Sequence, residues 1–166
     1  MQFEVKHFHE LTTAELFAIL QLRSKVFVVE QQCIYLDPDD FDKDSFHLLG
    51  RHDDKIICTA RCLPPGLKYE GVSVGRVVVE ATFRNQGTGR RMMEYVLRFC
   101  KEKWPDEDVI ISAQKWLEAF YSSFGFRTES EPYDEDGILH VRMRLVNKKK
   151  KRFEVKIFFV ILLIKP

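Results

Sequence analysis

Residues 76–91, RVVVEATFRNQGTGRR, place a run of valines before two closely spaced glycines and three arginines. Valines favour a strand, and the spacing of Met92, Met93, Val96 and Leu97 beyond the glycines is helical. The glycines therefore connect a strand to the N-terminus of a helix. The first N–H groups of a helix have no intrahelical partners and lie at the positive end of its dipole. This junction predicts a backbone site for an anion.

The rest of the chain predicts a sheet around this junction. Residues 2–8 alternate as a strand does, and the capping box at Thr12–Glu15 predicts a helix that runs to about Phe27. Two apolar segments around Asp53 and Asp54 predict a β-hairpin. Residues 33–45 are acidic and predict a surface loop. A short buried strand, a short helix ended by Gly125, and a final hairpin around residues 133–137 follow. The fold class is a mixed α/β domain with a mainly antiparallel sheet flanked by helices.

Composition narrows the kind of protein. A chain of 166 residues with 45% hydrophobic residues fits one globular domain, and a formal net charge of +1 gives no general preference for nucleic acid. The first ten residues contain no apolar signal core, and the four cysteines form no CxxC motif. These features predict a cytoplasmic protein with free thiols and no nucleic-acid partner. Cys58 and Cys62 lack further ligands at zinc spacing, so no metal is expected.

Three motifs compete to explain the glycines, and two fail on their own requirements. A P-loop needs GxxxxGK followed by Ser or Thr, which is absent, and the dinucleotide motif GxGxxG ends here on Met92. Residues 71–75, GVSVG, match the GxSxG nucleophile elbow, and acidic residues followed by His140 mimic a hydrolase triad. An elbow must pass from strand directly into helix, however, and Gly75 precedes more strand-like sequence. A serine hydrolase is therefore disfavoured.

Several separated motifs resemble the GNAT superfamily of N-acetyltransferases. Residues 84–89, RNQGTG, match its R/QxxGxG/A signature, and residues 120–126, FYSSFGF, are similar to the FYxxxGF element that closes the same site. Residues 22–31, 75–79, 113–114 and 133–140 resemble the ElaA-like branch of the superfamily. The resemblance covers about residues 1–146. It implies the GNAT fold, in which a twisted sheet is splayed where acetyl-CoA binds.

The resemblance also implies roles for individual residues. Acetyl-CoA, the expected co-substrate, would rest its pyrophosphate on the backbone of residues 85–90 and its pantetheine arm along the valine strand. An N–H group near Val79 would stabilise the oxyanion, and Tyr121 would protonate the departing thiolate. The residues expected to contact acetyl-CoA are Val77, Val78, Val79, Arg84, Asn85, Gln86, Gly87, Thr88, Gly89, Arg90, Phe120 and Tyr121.

The acceptor and the general base are less constrained. Glu80 and Glu30 are candidates for a base or a substrate anchor, and His47 and His140 could relay a proton. Arg76, between strand residues, suggests a structural ion pair or a substrate contact. The acidic segments 37–44 and 134–136 would attract a cationic amine if they border the cleft. The acceptor is expected to be a primary amine: a small molecule, a polyamine or a peptide. The alternative is a non-catalytic acyl-CoA-binding sensor on the same fold.

Residues 147–166 depart from the resemblance. A basic run precedes FEVKIFFVILLIKP, whose apolar part at 157–164 is far shorter than the roughly 20 residues of a spanning helix. No transmembrane span is expected. Contact with an anionic membrane surface, an added strand, a homodimer contact and a non-native extension all remain open. We divide the chain into a domain at 1–146 and an extension at 147–166.

Overall fold

The computed structural model describes residues 1–147, whose strands form one sheet of eight. The sheet order is β1-β2-β3-β4-β5-β8-β6, with β7 paired to β8. The strands are β1 Gln2–His7, β2 Phe46–His52, β3 Lys55–Leu63, β4 Val72–Val79, β5 Val109–Gln114, β6 Arg127–Thr128, β7 Tyr133–Glu135 and β8 Ile138–Leu145. The α-helices are α1 Thr13–Arg23, α2 Thr88–Lys103 and α3 Glu118–Ser122. All pairs are antiparallel except β4 with β5, which confirms a mixed, mainly antiparallel sheet.

Two tight turns set the hairpin registers. Asp53 and Asp54 have φ of 48° and 62°, and Asp136 and Gly137 have φ of 56° and 81°. Two consecutive left-handed residues form the turn whose twist matches that of paired strands. The first hairpin agrees with the prediction. The second is tighter than predicted, because Tyr133–Glu135 is strand and only the two residues after it form the turn.

Helix α1 starts as the sequence predicts but ends earlier. The Thr12 hydroxyl accepts the Glu15 N–H at 3.2 Å, and the Glu15 carboxylate accepts the Thr12 N–H at 2.9 Å. This capping box satisfies two N–H groups that would otherwise lack partners. After Arg23 the backbone widens into a π-helical segment, Ser24–Glu30, instead of continuing as an α-helix. Such segments often occur at functional sites.

The helices cover both faces of the sheet. On one face α1 packs through Ile19 and Leu22 against Leu49, Ile56 and Val78. On the other, α2 and α3 close a larger core that includes Met92, Met93, Val96, Cys100, Tyr121 and Phe126. Three layers result, with the sheet buried between the helices.

The sheet is splayed between β4 and β5. The two strands pair in parallel only through Val72 with Val109 and Ser73 with Ile110, and then separate toward their C-terminal ends. At the closed end the chains are very close, since a Cβ on Gly71 would lie 2.6 Å from the carbonyl oxygen of Asp108. The β3–β4 register shifts opposite Thr59–Arg61, and Arg76 there has a left-handed φ of 50°. A bulge therefore bends β4 where it leaves β5.

The extension at 147–166 lies almost wholly outside the described residues, so its proposed roles stay predictions. Within residues 1–147, no helix is both long and apolar enough to cross a membrane.

Candidate active site

A cleft of about 610 Å³ opens where β4 and β5 separate. One end is formed by the loop after β4 and the start of α2, which lie on the face of the sheet covered by α2. The other end is formed by β7 and β8, and the π-helical segment borders the cleft where Glu30 pairs with Arg84 of the loop. A molecule in the cleft would therefore pass from one face of the sheet to the other through the gap.

The loop before α2 has a backbone geometry that suits an anion. Asn85 and Gly87 have φ of 58° and 75°, and α2 begins immediately afterwards at Thr88. This geometry turns successive N–H groups toward one point at the positive end of a helix. The Thr88 hydroxyl oxygen is buried, borders the cleft and has no hydrogen-bond partner in the described part of the chain. A ligand oxygen would satisfy it.

Two of the three arginines that flank the glycines, Arg84 and Arg90, already have partners. Arg84 donates from Nε to the carbonyl of Val79 at 2.9 Å, and its guanidinium forms a two-point ion pair with Glu30. Arg90 donates to the Ser123 hydroxyl at 2.9 Å. Arg84 thus ties the end of β4 to the π-helical segment across the cleft.

Within residues 1–147, the edge of β4 that faces β5 pairs with no strand beyond Ser73. The N–H of Glu80 bonds to the carbonyl of Ile57 at 2.8 Å, so Glu80 points its backbone toward β3. The N–H and C=O groups of successive residues in a strand point to opposite edges. The N–H and C=O groups of Val79 and Val77 therefore point away from β3 and into the gap. The Val79 carbonyl is taken by Arg84, whereas the N–H groups of Val77 and Val79 face the cleft.

Tyr121 borders the cleft from α3 and is 5% exposed. Its ring packs edge-on against Phe120 and Phe126, with centroids 5.2 and 6.0 Å away. Burial raises the pKa of its phenol to about 12. The hydroxyl has no hydrogen-bond partner within residues 1–147, so a protonated donor stands free at the cleft.

Polar side chains occupy the opposite end of the cleft. Ser112 on β5 donates to the Glu135 carboxylate at 2.5 Å and lies 2.6 Å from the Tyr133 hydroxyl. His140 on β8 pairs with Gln114 in the ladder, and its Nδ1 lies 2.8 Å from the carbonyl of Ile138. A carbonyl only accepts, so Nδ1 carries the proton and Nε2 of the neutral ring is free to accept.

A buried ion cluster lies behind this end. Its arginines are Arg23, Arg61 and Arg76, and its aspartates are Asp37, Asp39 and Asp42. Arg23, 1% exposed, bonds to Asp37 at 2.8 Å and to Asp42 at 2.7 Å. Arg76 pairs with Asp37 at 2.8 Å, which confirms the structural ion pair and holds the bulge of β4 in place.

Comparison with known proteins decides the family. Residues 21–147 match the model described as "Acetyltransferase (GNAT) domain". The chain is 41% identical to Protein ElaA of Escherichia coli over 145 residues, which is 86% of this chain and 95% of that protein. This chain belongs to the GNAT acetyltransferase family.

Solved structures agree with the GNAT assignment. A crystal structure of an acyl-CoA N-acyltransferase from Pseudomonas aeruginosa superposes with a TM-score of 0.83 at 41% identity, covering 86% of this chain and 97% of that one. Escherichia coli ElaA superposes with a TM-score of 0.82 over the same shares. The GNAT fold predicted from the sequence is confirmed, and the protein is an acyltransferase.

Most residues predicted to bind the donor in this GNAT protein come together at the cleft. The group comprises Val77, Val78, Val79, Arg84, Asn85, Gly87, Thr88, Gly89, Arg90, Phe120 and Tyr121. Gln86 does not border it; its side chain bonds to the carbonyl of Thr82 at 3.0 Å. Val78 borders the cleft, but its side chain packs toward α1.

The two carboxylates predicted as a base or substrate anchor, Glu30 and Glu80, lie in different places. Glu30 borders the cleft, and the hydrogen bond from Arg84 lowers its pKa. Glu80 does not border it: its carboxylate lies beside a second depression next to α1, within 2.9 Å of Lys25 and 3.1 Å of Lys55. The hydrogen bond from Lys25 lowers the pKa of Glu80.

The positions of other candidate residues show whether they can belong to the site. Ser73 is buried inside β4 and pairs with Leu63 and Ile110, so no nucleophile elbow exists there. His47 is 1% exposed, and its Nε2 lies 3.0 Å from the carbonyl of Asp42, away from the cleft. Sequence reasoning missed Ser112, although its place in the strand VIISAQ, between buried residues, was a usable signal.

Proposed function

We propose that this GNAT protein transfers the acetyl group of acetyl-CoA directly to a primary amine. The observation that carries the proposal is the meeting of three features in one cleft. These are a backbone site for an anion before α2, an unpaired edge of β4, and the free phenol of Tyr121. Together they suit the pyrophosphate, the amide-containing arm and the thioester of acetyl-CoA, in that order along the cleft.

The pyrophosphate would lie against the backbone of residues 85–90. Gly87 is in a left-handed conformation that side chains disfavour, and the Thr88 hydroxyl is buried without a partner. Oxygen atoms of the pyrophosphate would accept from both the N–H groups and this hydroxyl. Arg84, held by Glu30 and the Val79 carbonyl, fixes the position of the loop at the mouth of the cleft without needing to contact the phosphate.

The pantetheine arm would add to β4 as a short strand. Its amide groups can pair with the N–H groups of Val79 and Val77, which face the gap. Because the pyrophosphate lies beyond the end of β4, the arm must run from Val79 back toward the bulge. The thioester would then lie near Val77, whose N–H is better placed than that of Val79 to stabilise the oxyanion.

Tyr121 and His140 are the proposed proton donor and acceptor. Nitrogen of the neutral amine attacks the thioester carbon, and the C–S bond breaks as the C–N bond is completed. Nε2 of His140 takes the proton of the amine, and the phenol of Tyr121 donates to the thiolate. Solvent then returns a proton to Tyr121 and removes one from His140. Glu30, paired with Arg84, is a weaker base, and Glu80 is left out because its carboxylate lies away from the cleft.

The test measures acetyl-CoA binding and release of free CoA in one experiment. We expect wild-type protein to release CoA with at least one primary amine, and Tyr121→Phe to lower kcat about 100-fold while acetyl-CoA affinity is kept. Tyr95→Phe is the matched control, since Tyr95 lies on α2 against Phe3, 5.6 Å between centroids, and does not border the cleft.

Two outcomes would contradict the proposal. Tight acetyl-CoA binding without CoA release on any amine would replace acetyl transfer by a sensor role. Unchanged kcat in Tyr121→Phe would remove the phenol from the proton transfer.

A further inference from the structure

The carboxylates that border the cleft are not equivalent. Glu30 is paired with Arg84. Glu135 has no basic side chain within ion-pair distance in residues 1–147, although it borders the same cleft. A carboxylate without a counter-ion beside a ligand cleft is a binding group for a cation that arrives with the ligand.

Hydrogen bonds fix the position of Glu135. Ser112 gives its single hydroxyl proton to Oε2 of Glu135, so the Tyr133 hydroxyl must be the donor to Ser112. The chain Tyr133–Ser112–Glu135 orients the carboxylate and uses only one of its oxygen atoms. Oε1 is left to accept from a ligand.

A second observation shows that this cleft is built for a ligand. Tyr121 is 5% exposed, and its hydroxyl borders the cleft without a partner in the described part of the chain. Its hydroxyl can therefore bond to a ligand that enters the cleft, and the buried, unpartnered hydroxyl oxygen of Thr88 in the same cleft gains a hydrogen bond only from such a ligand.

The sheet register gives the separation between Glu135 and the proposed base. His140 pairs directly with Tyr133, and Glu135 is two residues further along β7 on the same face. Diagonal neighbours of this kind are about 7–8 Å apart. The reacting amine must surrender a proton to His140, whereas a group held by Glu135 is stabilised in its charged form. The two positions therefore suit two different nitrogen atoms of one molecule.

We propose that Glu135 binds a second, protonated amino group of the acceptor, which makes the substrate class short alkyl diamines and polyamines. The inference rests on the proposed acetyl transfer and specifies its acceptor. One amino group is acetylated beside His140, and the other remains an ammonium at Glu135, a few carbon atoms away.

The experiment compares diamines with amino alcohols of the same length, so that only the second charge differs. The probes are 1,ω-diaminoalkanes of two to six carbons, the matching amino alcohols, and spermidine. CoA release gives kcat and KM for each, and calorimetry with CoA present measures binding of the diamines without chemistry. We expect at least one diamine to exceed its amino alcohol in kcat/KM by about tenfold or more.

Two variants locate the effect. Glu135→Gln keeps an acceptor for Ser112 but removes the charge, and we expect it to raise KM for the diamine about tenfold, with kcat and the amino alcohol little changed. Asp134→Asn makes the same charge change one residue away. Because the Asp134 side chain only accepts from the N–H of Gly137 and does not border the cleft, it should keep the preference.

The outcomes separate this inference from the proposed function. Turnover of amines with no diamine preference, or a preference that survives Glu135→Gln, overturns the role of Glu135 and leaves acetyl transfer standing. Diamine binding that Glu135→Gln abolishes, without CoA release, supports the subsite and overturns acetyl transfer. If no diamine is either bound or turned over, the inference is overturned.

Discussion

Two acidic segments of similar composition have opposite surroundings in this protein. Residues 37–44 send Asp37, Asp39 and Asp42 to the three arginines of the buried cluster. Residues 134–136 bring Glu135 and Asp136 to the cleft, where no ion pair to them forms within residues 1–147. These aspartates of the first segment form ion pairs within the protein, whereas these two carboxylates of the second segment face the cleft without an ion pair in the described residues. Arginines lie against the first segment, and none forms an ion pair with the second within residues 1–147.

Because of this difference, we expect the first segment to contribute to stability and the second to substrate binding. A buried charge that loses its partner is costly, because neither water nor a counter-ion replaces it. A carboxylate at an open cleft keeps contact with water and costs little when it is changed. Substitutions in the first segment should therefore act on folding, and those in the second on the acceptor.

The largest expected effect is the loss of an arginine from the cluster. Arg23→Met should lower the free energy of unfolding by about 3–5 kcal/mol, because Asp37 and Asp42 stay buried without their main partner. Urea denaturation at neutral pH measures it. Asp40→Asn, which breaks only the exposed pair with Lys43, should leave the unfolding curve unchanged. If Arg23→Met lowered the free energy of unfolding only slightly, the first segment would contribute no more to stability than the second.

A smaller effect should appear in acid. Burial alone would raise the pKa of Asp42, but hydrogen bonds and charge from Arg23 and Arg61 outweigh it and lower the pKa from 3.8 to about 2. A carboxyl group whose pKa is lower in the folded than in the unfolded protein stabilises the fold at pH values above its unfolded pKa. This contribution is lost as the pH falls through the folded pKa. About 2 kcal/mol should disappear between roughly pH 4 and pH 2. Unfolding free energies measured across this range should fall less steeply in Asp42→Asn, which is already destabilised at pH 7.

The smallest effect is expected in the second segment. Glu135→Gln should change the free energy of unfolding by less than about 0.5 kcal/mol, because Ser112 can still donate to the new amide oxygen. The same urea series should show Asp42→Asn, an equivalent change in the first segment, to be far more destabilising. Equal losses in the two variants would mean that both segments serve the fold.

Local features of the fold follow from short stretches of sequence. The capping box at Thr12, the left-handed pair Asp53–Asp54 and the left-handed Gly87 before α2 each depend on only a few residues. Their geometry depends on backbone conformation and nearby side chains, so the pattern alone predicts them. For this reason the backbone turn before α2, on the edge of the candidate site, could be predicted from the sequence.

Long-range features could not be predicted. The arginines that bury Asp37 and Asp42 come from positions 23, 61 and 76, and nothing local in the acidic segment indicates them. The same holds for Glu80: β4 ends one residue earlier, and its side chain lies with Lys25 and Lys55 instead of the cleft. The π-helical segment and the bulge at Arg76 likewise depend on packing across the sheet.

The closed end of the splay has a mechanical consequence. Two residue pairs join β4 to β5, and beside them Gly71 fits against the Asp108 carbonyl with no room for a side chain. Because the strands diverge from this point, a small wedge there would tilt one half of the sheet against the other, and the displacement would grow toward Val79 and Gln114. The width of the gap between β4 and β5 is therefore set where the two strands meet, by a glycine that does not border the cleft.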